Sequence, residues 1–371
     1  MGPKSTDFAG VATGVVIEWG SKMHVIAEQT ADQIWNAAAA LLLDPQKASW
    51  QASRAGDTVE ALHVLIELQR PSQRWISIRS PAMNPAFALV EAFWIVSGRR
   101  DSCLPSYWNP ALSRYCGSGE SYHGAYGHRI RHHLGIDQLE RVYSALRNNP
   151  HSRQCVLQIW DSTVDLPAED GAPTNQDIPC NLISIPKVRN GKLEWMQIIR
   201  SNDLFLGLPH NIVQFTVLQE MLSGWLGVPP GSYHQLSDSL HIYAKDIDTV
   251  KQSINTEPGP MSSDSFAIDR QTWDEILPIM MSRLERLCRE SLSLQELKGI
   301  LLLRDLPAAY ANALVICAAD SARRHGWQEI AQECVSQCTD LGLQHLWSRW
   351  DSRCRSRQRT PLDATSRQIS A

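Results

Sequence analysis

The hydrophobic pattern changes period several times along the chain, and each change marks an expected element. Residues 30–43 form an Ala-rich run that reads as one helix. Over residues 56–78, Val59, Leu62, Val64, Ile66 and Leu68 alternate with other residues, as in a strand. Residues 85–96 (PAFALVEAFWIV) are apolar nearly all round, open with Pro and are stopped by Gly98, the pattern of a buried helix. A single acid, Glu91, sits inside it, and an acid among apolar neighbours is costly unless partnered. Residues 98–127 read as loop, 136–146 as helix and 155–160 as a short apolar strand.

Two further strands, 182–188 and 193–199, flank Arg189-Asn190-Gly191-Lys192. Asn-Gly is the strongest short hairpin signal, because both residues tolerate the positive φ of a type I′ turn. The hairpin therefore brings Cys180, just before its first strand, close to Arg200, just after its second. Residues 212–226 are periodic as a helix, with Asn211 at the expected N-cap position. Residues 232–246 alternate again and end in His241-Ile242-Tyr243, which puts His241 and Tyr243 on one face of a strand. From 276 to about 350 the pattern is helical, and 352–371 form a polar, mobile tail.

Composition narrows the functional classes. The chain has 371 residues, 43% apolar and 20% charged, with a net charge of -4, so no general basic field exists to hold a nucleic-acid polymer. No apolar run reaches the roughly 20 residues of a membrane span, and the opening MGPKSTDFAGVATG lacks a signal-peptide core, so a cytoplasmic protein is expected. Nine scattered cysteines without CxxC pairs point to reduced thiols rather than to disulfides or a metal site. A guanidinium beside a thiol favours the thiolate, which makes Cys180 a candidate nucleophile. Arg200 and Ser201 together read as a phosphate clamp, and the Asn211 amide suits a uracil-type edge.

These residues resemble the thymidylate synthase family. The matching stretches are Pro179-Cys180, RSND and LFLGLPHN over 200–211, HIY at 241–243, EAFW around Glu91, GAYGHRIR at 124–131 and PHSRQ at 150–154. The resemblance implies an α+β fold of mixed sheet with packed helices, extended here by C-terminal helices, and a homodimer that exchanges arginines between sites. It divides the chain into a helical lead (1–50), a catalytic domain (51–262), a helical extension (263–350) and a tail (351–371). It also implies that Cys180 adds to C6 of a pyrimidine mononucleotide and that 5,10-methylenetetrahydrofolate supplies a one-carbon unit to C5. No metal is implied. Arg200, Ser201 and Arg54 would hold the phosphate, with Arg153 reaching the partner's site. Asn211 would read the base, His241 and Tyr243 the sugar, and Tyr126 would also touch substrate. Glu91 would move protons, while Trp108 and Asp203 would meet the folate.

The departures bear on the reaction. Asn181 stands where methylating members of the family carry His, and Gln154 where they carry a second Arg. Helices also continue where the family ends in a short closing tail. RSND and Ser239-Leu240 resemble the deoxycytidylate hydroxymethylase branch, yet that branch carries an acid where this chain has Asn211, whose amide favours uracil. A polar Asn181 and an open site are expected to admit water, which favours hydroxymethylation over methylation. A cysteine hydrolase and an inactive binding protein are the other classes. The first lacks a recognisable Cys–His signature, and the retained Cys180, Arg200, Asn211, His241 and Tyr243 argue against the second.

Overall fold

The computed structural model describes residues 23–359 except 54 and 255, so Arg54 lies outside the described residues, as does 360–371 of the expected tail. Seven strands form one mixed sheet: β1 (His24–Glu28), β2 (Ser49–Gln51), β3 (Thr58–Leu68), β4 (Leu157–Gln158), β5 (Asn181–Arg189), β6 (Lys192–Asp203) and β7 (Pro230–Tyr243). Their order is β1-β3-β7-β6-β5-β4, with β2 on the end of β3. The β1–β3 and β6–β7 pairs run parallel and the others antiparallel. Asn190 and Gly191 both take positive φ, 51° and 72°, so the β5–β6 turn is of the expected type.

One face of the sheet is covered by helices. Thr30 caps the Ala31–Leu43 helix in a reciprocal capping box with Gln33. The Pro85–Val96 helix has the expected bounds; Asn84 caps it by accepting from the Ala86 and Phe87 N–H groups. The third covering helix starts earlier than its pattern implies, spanning Gly207–Leu226, so Asn211 lies inside the helix and is not its cap. Pro209 lies in the first turn, where Pro is tolerated because the N–H groups there have no intrahelical partner. Three more expectations change. The alternation after Leu68 is not strand, the 98–127 loop contains a helix at Cys103–Trp108, and β4 is only two residues long.

The C-terminal helices share the same core. Helices at Arg270–Leu287, Ala308–Arg324 and Leu341–Arg359 follow β7, the last extending well into the stretch expected to be mobile. One continuous cluster of buried apolar residues runs from Ile26 to Trp347. Contact at the seam is direct: a Cβ at Gly224 would lie 2.4 Å from the Ile268 carbonyl oxygen. Beside it, Arg74 Nη2 meets Glu220 Oε2 at 2.6 Å with both side chains almost wholly buried, and the same Glu220 oxygen accepts from the Phe266 N–H at 2.9 Å. Glu220 therefore ties the central helix to both the 69–78 segment and the start of the extension.

Removing one partner of a buried ion pair leaves the other charge uncompensated. Glu220→Ala is expected to lower the unfolding free energy by about 3–5 kcal/mol, read by urea denaturation. A loss below about 1 kcal/mol would mean that the pair does not hold the seam.

Candidate active site

Cys180 sits at the lip of the covered face, immediately before β5, and the hairpin fixes what surrounds it. The Arg200 backbone N–H donates to the Cys180 carbonyl at 2.9 Å. The Arg200 side chain wraps back over the same segment, with Nε donating to the Pro179 carbonyl at 3.0 Å and Nη2 to that of Ile178 at 3.2 Å. Its guanidinium lies 5.5 Å from the Trp160 ring. The hairpin thus brings Arg200 against the backbone of the segment that carries Cys180. Ser201 follows, half-buried, opposite Ser239 of β7.

Across the site, Glu91 projects from the Pro85–Val96 helix, with Oε2 3.5 Å from His210 Nδ1, a close approach without hydrogen-bond geometry. Tyr126 is half-buried, stacks on Phe215 and is hydrogen-bonded to Asn181; desolvation raises its pKa well above the ordinary value. Charge coupling joins Tyr126 to Cys180, Asp177 and Glu91, so these four groups are one cluster. A Cβ on Gly127 would lie 2.0 Å from the Ile95 carbonyl, which explains why glycine follows Tyr126 where the two segments cross.

Asp177 and Cys116 are the residues that sequence reasoning missed. Asp177 Oδ2 accepts from the Gly124 N–H at 2.7 Å, and the Cys116 thiol is hydrogen-bonded to it. Burial raises the pKa of Asp177, and burial followed by the Asp177 charge raises that of Cys116. The only signal of Asp177 in the sequence is its place three residues before Cys180.

At the end of β7, the His241 and Tyr243 rings meet edge to face with centroids 5.4 Å apart. Burial lowers the pKa of His241, which keeps it neutral, while Nδ1 lies 3.4 Å from Ser239 Oγ. Burial raises the pKa of Tyr243, with the Asp203 charge adding to it. Asp203 is pinned by the N–H groups of Phe205 (2.9 Å) and Leu206 (3.1 Å), and burial pushes its pKa to about 6. Arg153 is exposed at the surface. Trp108 is buried: its ring packs on Tyr107 and Arg324, and its carbonyl accepts from Asn84 and Arg324. Asn181 is fully buried, with Nδ2 donating to Asn211 and Oδ1 accepting from Gln197. Its polarity is therefore spent on the protein, and water in the site would have to be held by other groups. Among the described residues no His, Cys, Asp and Glu group could hold a metal ion, and no helix is long and apolar enough to cross a membrane.

The thymidylate synthase family profile matches residues 78–285, which span Glu91, Cys180, Arg200 and Tyr243. The chain belongs to the thymidylate synthase family. It is 34% identical over 206 residues to a deoxyuridylate hydroxymethyltransferase of Bacillus phage SP01, covering 53% of each chain. To a deoxyuridylate hydroxymethyltransferase of Pseudomonas phage M6 it is 33% identical over 195 residues, covering 52% of this chain and 54% of the other. A thymidylate synthase of Phytoplasma mali is 33% identical over 138 residues, covering 36% of this chain and 44% of that one. The chain thus matches about half the length of its curated relatives.

An acid whose folded pKa lies above its ordinary value contributes stability below the ordinary value and loses it as pH rises to the folded one. For Asp203 that window runs from 3.8 to about 6. At about 1.4 kcal/mol per unit the loss is at most roughly 3 kcal/mol, less for the part of the carboxyl that water reaches. Asp203→Asn should therefore flatten this part of the stability profile, measured by urea denaturation across the window; an unchanged slope would place the titration on another group.

Proposed function

We propose that the chain hydroxymethylates C5 of a uracil mononucleotide, with 5,10-methylenetetrahydrofolate as co-substrate. The Cys180 thiolate adds to C6 and leaves an enolate whose C5 carbon bonds to the folate-borne methylene. Loss of the C5 proton expels tetrahydrofolate and leaves an exocyclic methylene at C5. Water adds to that carbon, and the resulting enolate expels the Cys180 thiolate. The sum is nucleotide, methylene donor and water giving hydroxymethyl nucleotide and tetrahydrofolate, with no oxidation of the folate.

The observation that carries this reading is a second acid at the nucleophile. The charges of Glu91 and Asp177 both act on Tyr126 and Cys116, as does that of Cys180, and burial raises the pKa of Asp177, which makes it a competent base. Glu91 is assigned to the C5 proton and Asp177 to the attacking water. The names of the two phage relatives agree with this outcome. Asp203, held by two backbone N–H groups, offers a fixed acceptor to the N–H donors of a pterin. The remaining donors of Arg200, with Ser201, would take the phosphate, and Arg153 that of a partner subunit.

The uncovered face of the sheet supports the homodimer. Ile183, Ile185, Met196, Ile198 and Leu236 are half-buried there and Leu62 is exposed, an apolar surface that a second copy fits. The division into catalytic domain and helical extension near residue 262 is kept as a description of sequence; both parts share one core.

A trapping experiment tests the reading. 5-Fluoro-dUMP with methylenetetrahydrofolate should leave a covalent ternary adduct that Cys180→Ala abolishes and Asp177→Asn retains, while Asp177→Asn slows hydroxymethyl product by about 10²-fold or more. Absence of adduct with both deoxy- and ribonucleotide would overturn the covalent mechanism. Undiminished turnover by Asp177→Asn would remove Asp177 from it.

A further inference from the structure

Asn211 does not stand alone under the site but is one link of a buried chain of amides. Gln197 Nε2 donates to Asn181 Oδ1 at 2.9 Å, and Asn181 Nδ2 to Asn211 Oδ1 at 3.1 Å. Asn211 Nδ2 donates to Asn202 Oδ1 at 3.0 Å, and Asn202 Nδ2 to Ser237 Oγ at 3.1 Å. Gln197, Asn181 and Asn202 are at most 1% exposed, so water does not replace these partners.

The direction of the whole chain is dictated at one end. The Trp195 indole N–H, which only donates, points at Gln197 Oε1 at 3.3 Å, and the Ser184 hydroxyl donates to the same oxygen at 2.6 Å. Gln197 must therefore present its nitrogen to Asn181, Asn181 its nitrogen to Asn211, and Asn211 its nitrogen to Asn202. Turning any one amide would set donor against donor and acceptor against acceptor in a buried site, the costliest kind of mismatch.

We infer that Trp195, Gln197 and Asn181 act as positioning residues that lock the Asn211 amide in one orientation and so set the choice between uracil and cytosine. This rests on the reading of a pyrimidine nucleotide substrate. In that orientation Asn211 keeps one lone pair on Oδ1 and one N–H on Nδ2 for a ligand. Uracil offers a donor at N3 and an acceptor at O4, and cytosine offers the reverse, so one amide orientation matches one base and the turned amide matches the other. The base is thus chosen by a tryptophan N–H that never meets it. Asn181, placed where the methylating members carry His, has its role here as a link in the relay.

The relay can be reversed by chemistry. In Asn181→Asp the carboxylate only accepts, so it still takes the Gln197 donor but now requires Asn211 Nδ2, which turns Asn211. Asn202 then turns as well, and the Ser237 hydroxyl donates to it. Trp195→Phe removes the donor-only group, and the Ser184 hydroxyl, which also accepts, no longer enforces the direction. The measurement is kcat/KM and Kd for dUMP and dCMP with the full-length chain. Wild type is expected to prefer dUMP. Asn181→Asp should shift the dUMP:dCMP ratio toward dCMP by about tenfold or more, and Trp195→Phe should narrow it severalfold. Because the readout is a ratio, general loss of activity or of folded fraction does not move it. If Asn181→Asp does not fold, Trp195→Phe carries the test. A wild type that prefers dUMP with variants of unchanged ratio overturns the lock and leaves the substrate reading standing. A wild type that binds neither nucleotide overturns the substrate reading, and the lock with it.

Discussion

The hydrogen bond from the Arg200 N–H to the Cys180 carbonyl is the contact on which the rest of the site depends. It closes the open end of the β5–β6 hairpin, so the register set by the Asn190-Gly191 turn reaches as far as Cys180. A slip of one residue in that pairing would turn Asn181, Ser184 and Gln197 away from the covered face and carry the amide relay with them. Arg200 then holds two more carbonyls of the same segment with its side chain. Cys180 is thereby mounted on a strand pair rather than on a loose loop, as a site that must hold its geometry requires.

Polar groups under the site are satisfied by one another. Gln197, Asn181, Asn211 and Asn202 pass hydrogen bonds in one direction, while Asp203 is answered by two backbone N–H groups. A buried network of this kind rigidifies only when every member is paired. Asp177 differs: it lies beside Cys116 and the Gly124 N–H, its charge acts on Tyr126 and Cys116 as that of Cys180 does, and burial raises its pKa. On the proposed reaction, the contrast between the locked amides and this perturbed acid would separate recognition of the base from proton transfer.

Much of this was legible before any coordinates, where local rules suffice. The Asn-Gly turn, the Pro85 helix start and the lone acid Glu91 each carry their meaning within a few residues. What was not legible depends on partners far apart in the chain. Asn211 read as a cap, because nothing local reveals that Asn181, thirty positions earlier, and Asn202 hold its two ends. Asp177 sits in a polar stretch that reads as loop, and its value comes from Cys116 and Gly124 folding over it. Trp108 carried a site expectation from its motif, but the extension helix Ala308–Arg324 that packs on it belongs to a later part of the chain.

The central claim is that water, and not a hydride from the folate, ends the reaction at Cys180. Turnover of dUMP with methylenetetrahydrofolate in ¹⁸O-labelled water, followed by mass analysis of the nucleotide and absorbance of the folate, tests it directly. The account predicts 5-hydroxymethyl-dUMP with one labelled oxygen in the new group, and tetrahydrofolate as the folate product. Unlabelled thymidylate formed in step with dihydrofolate would contradict it.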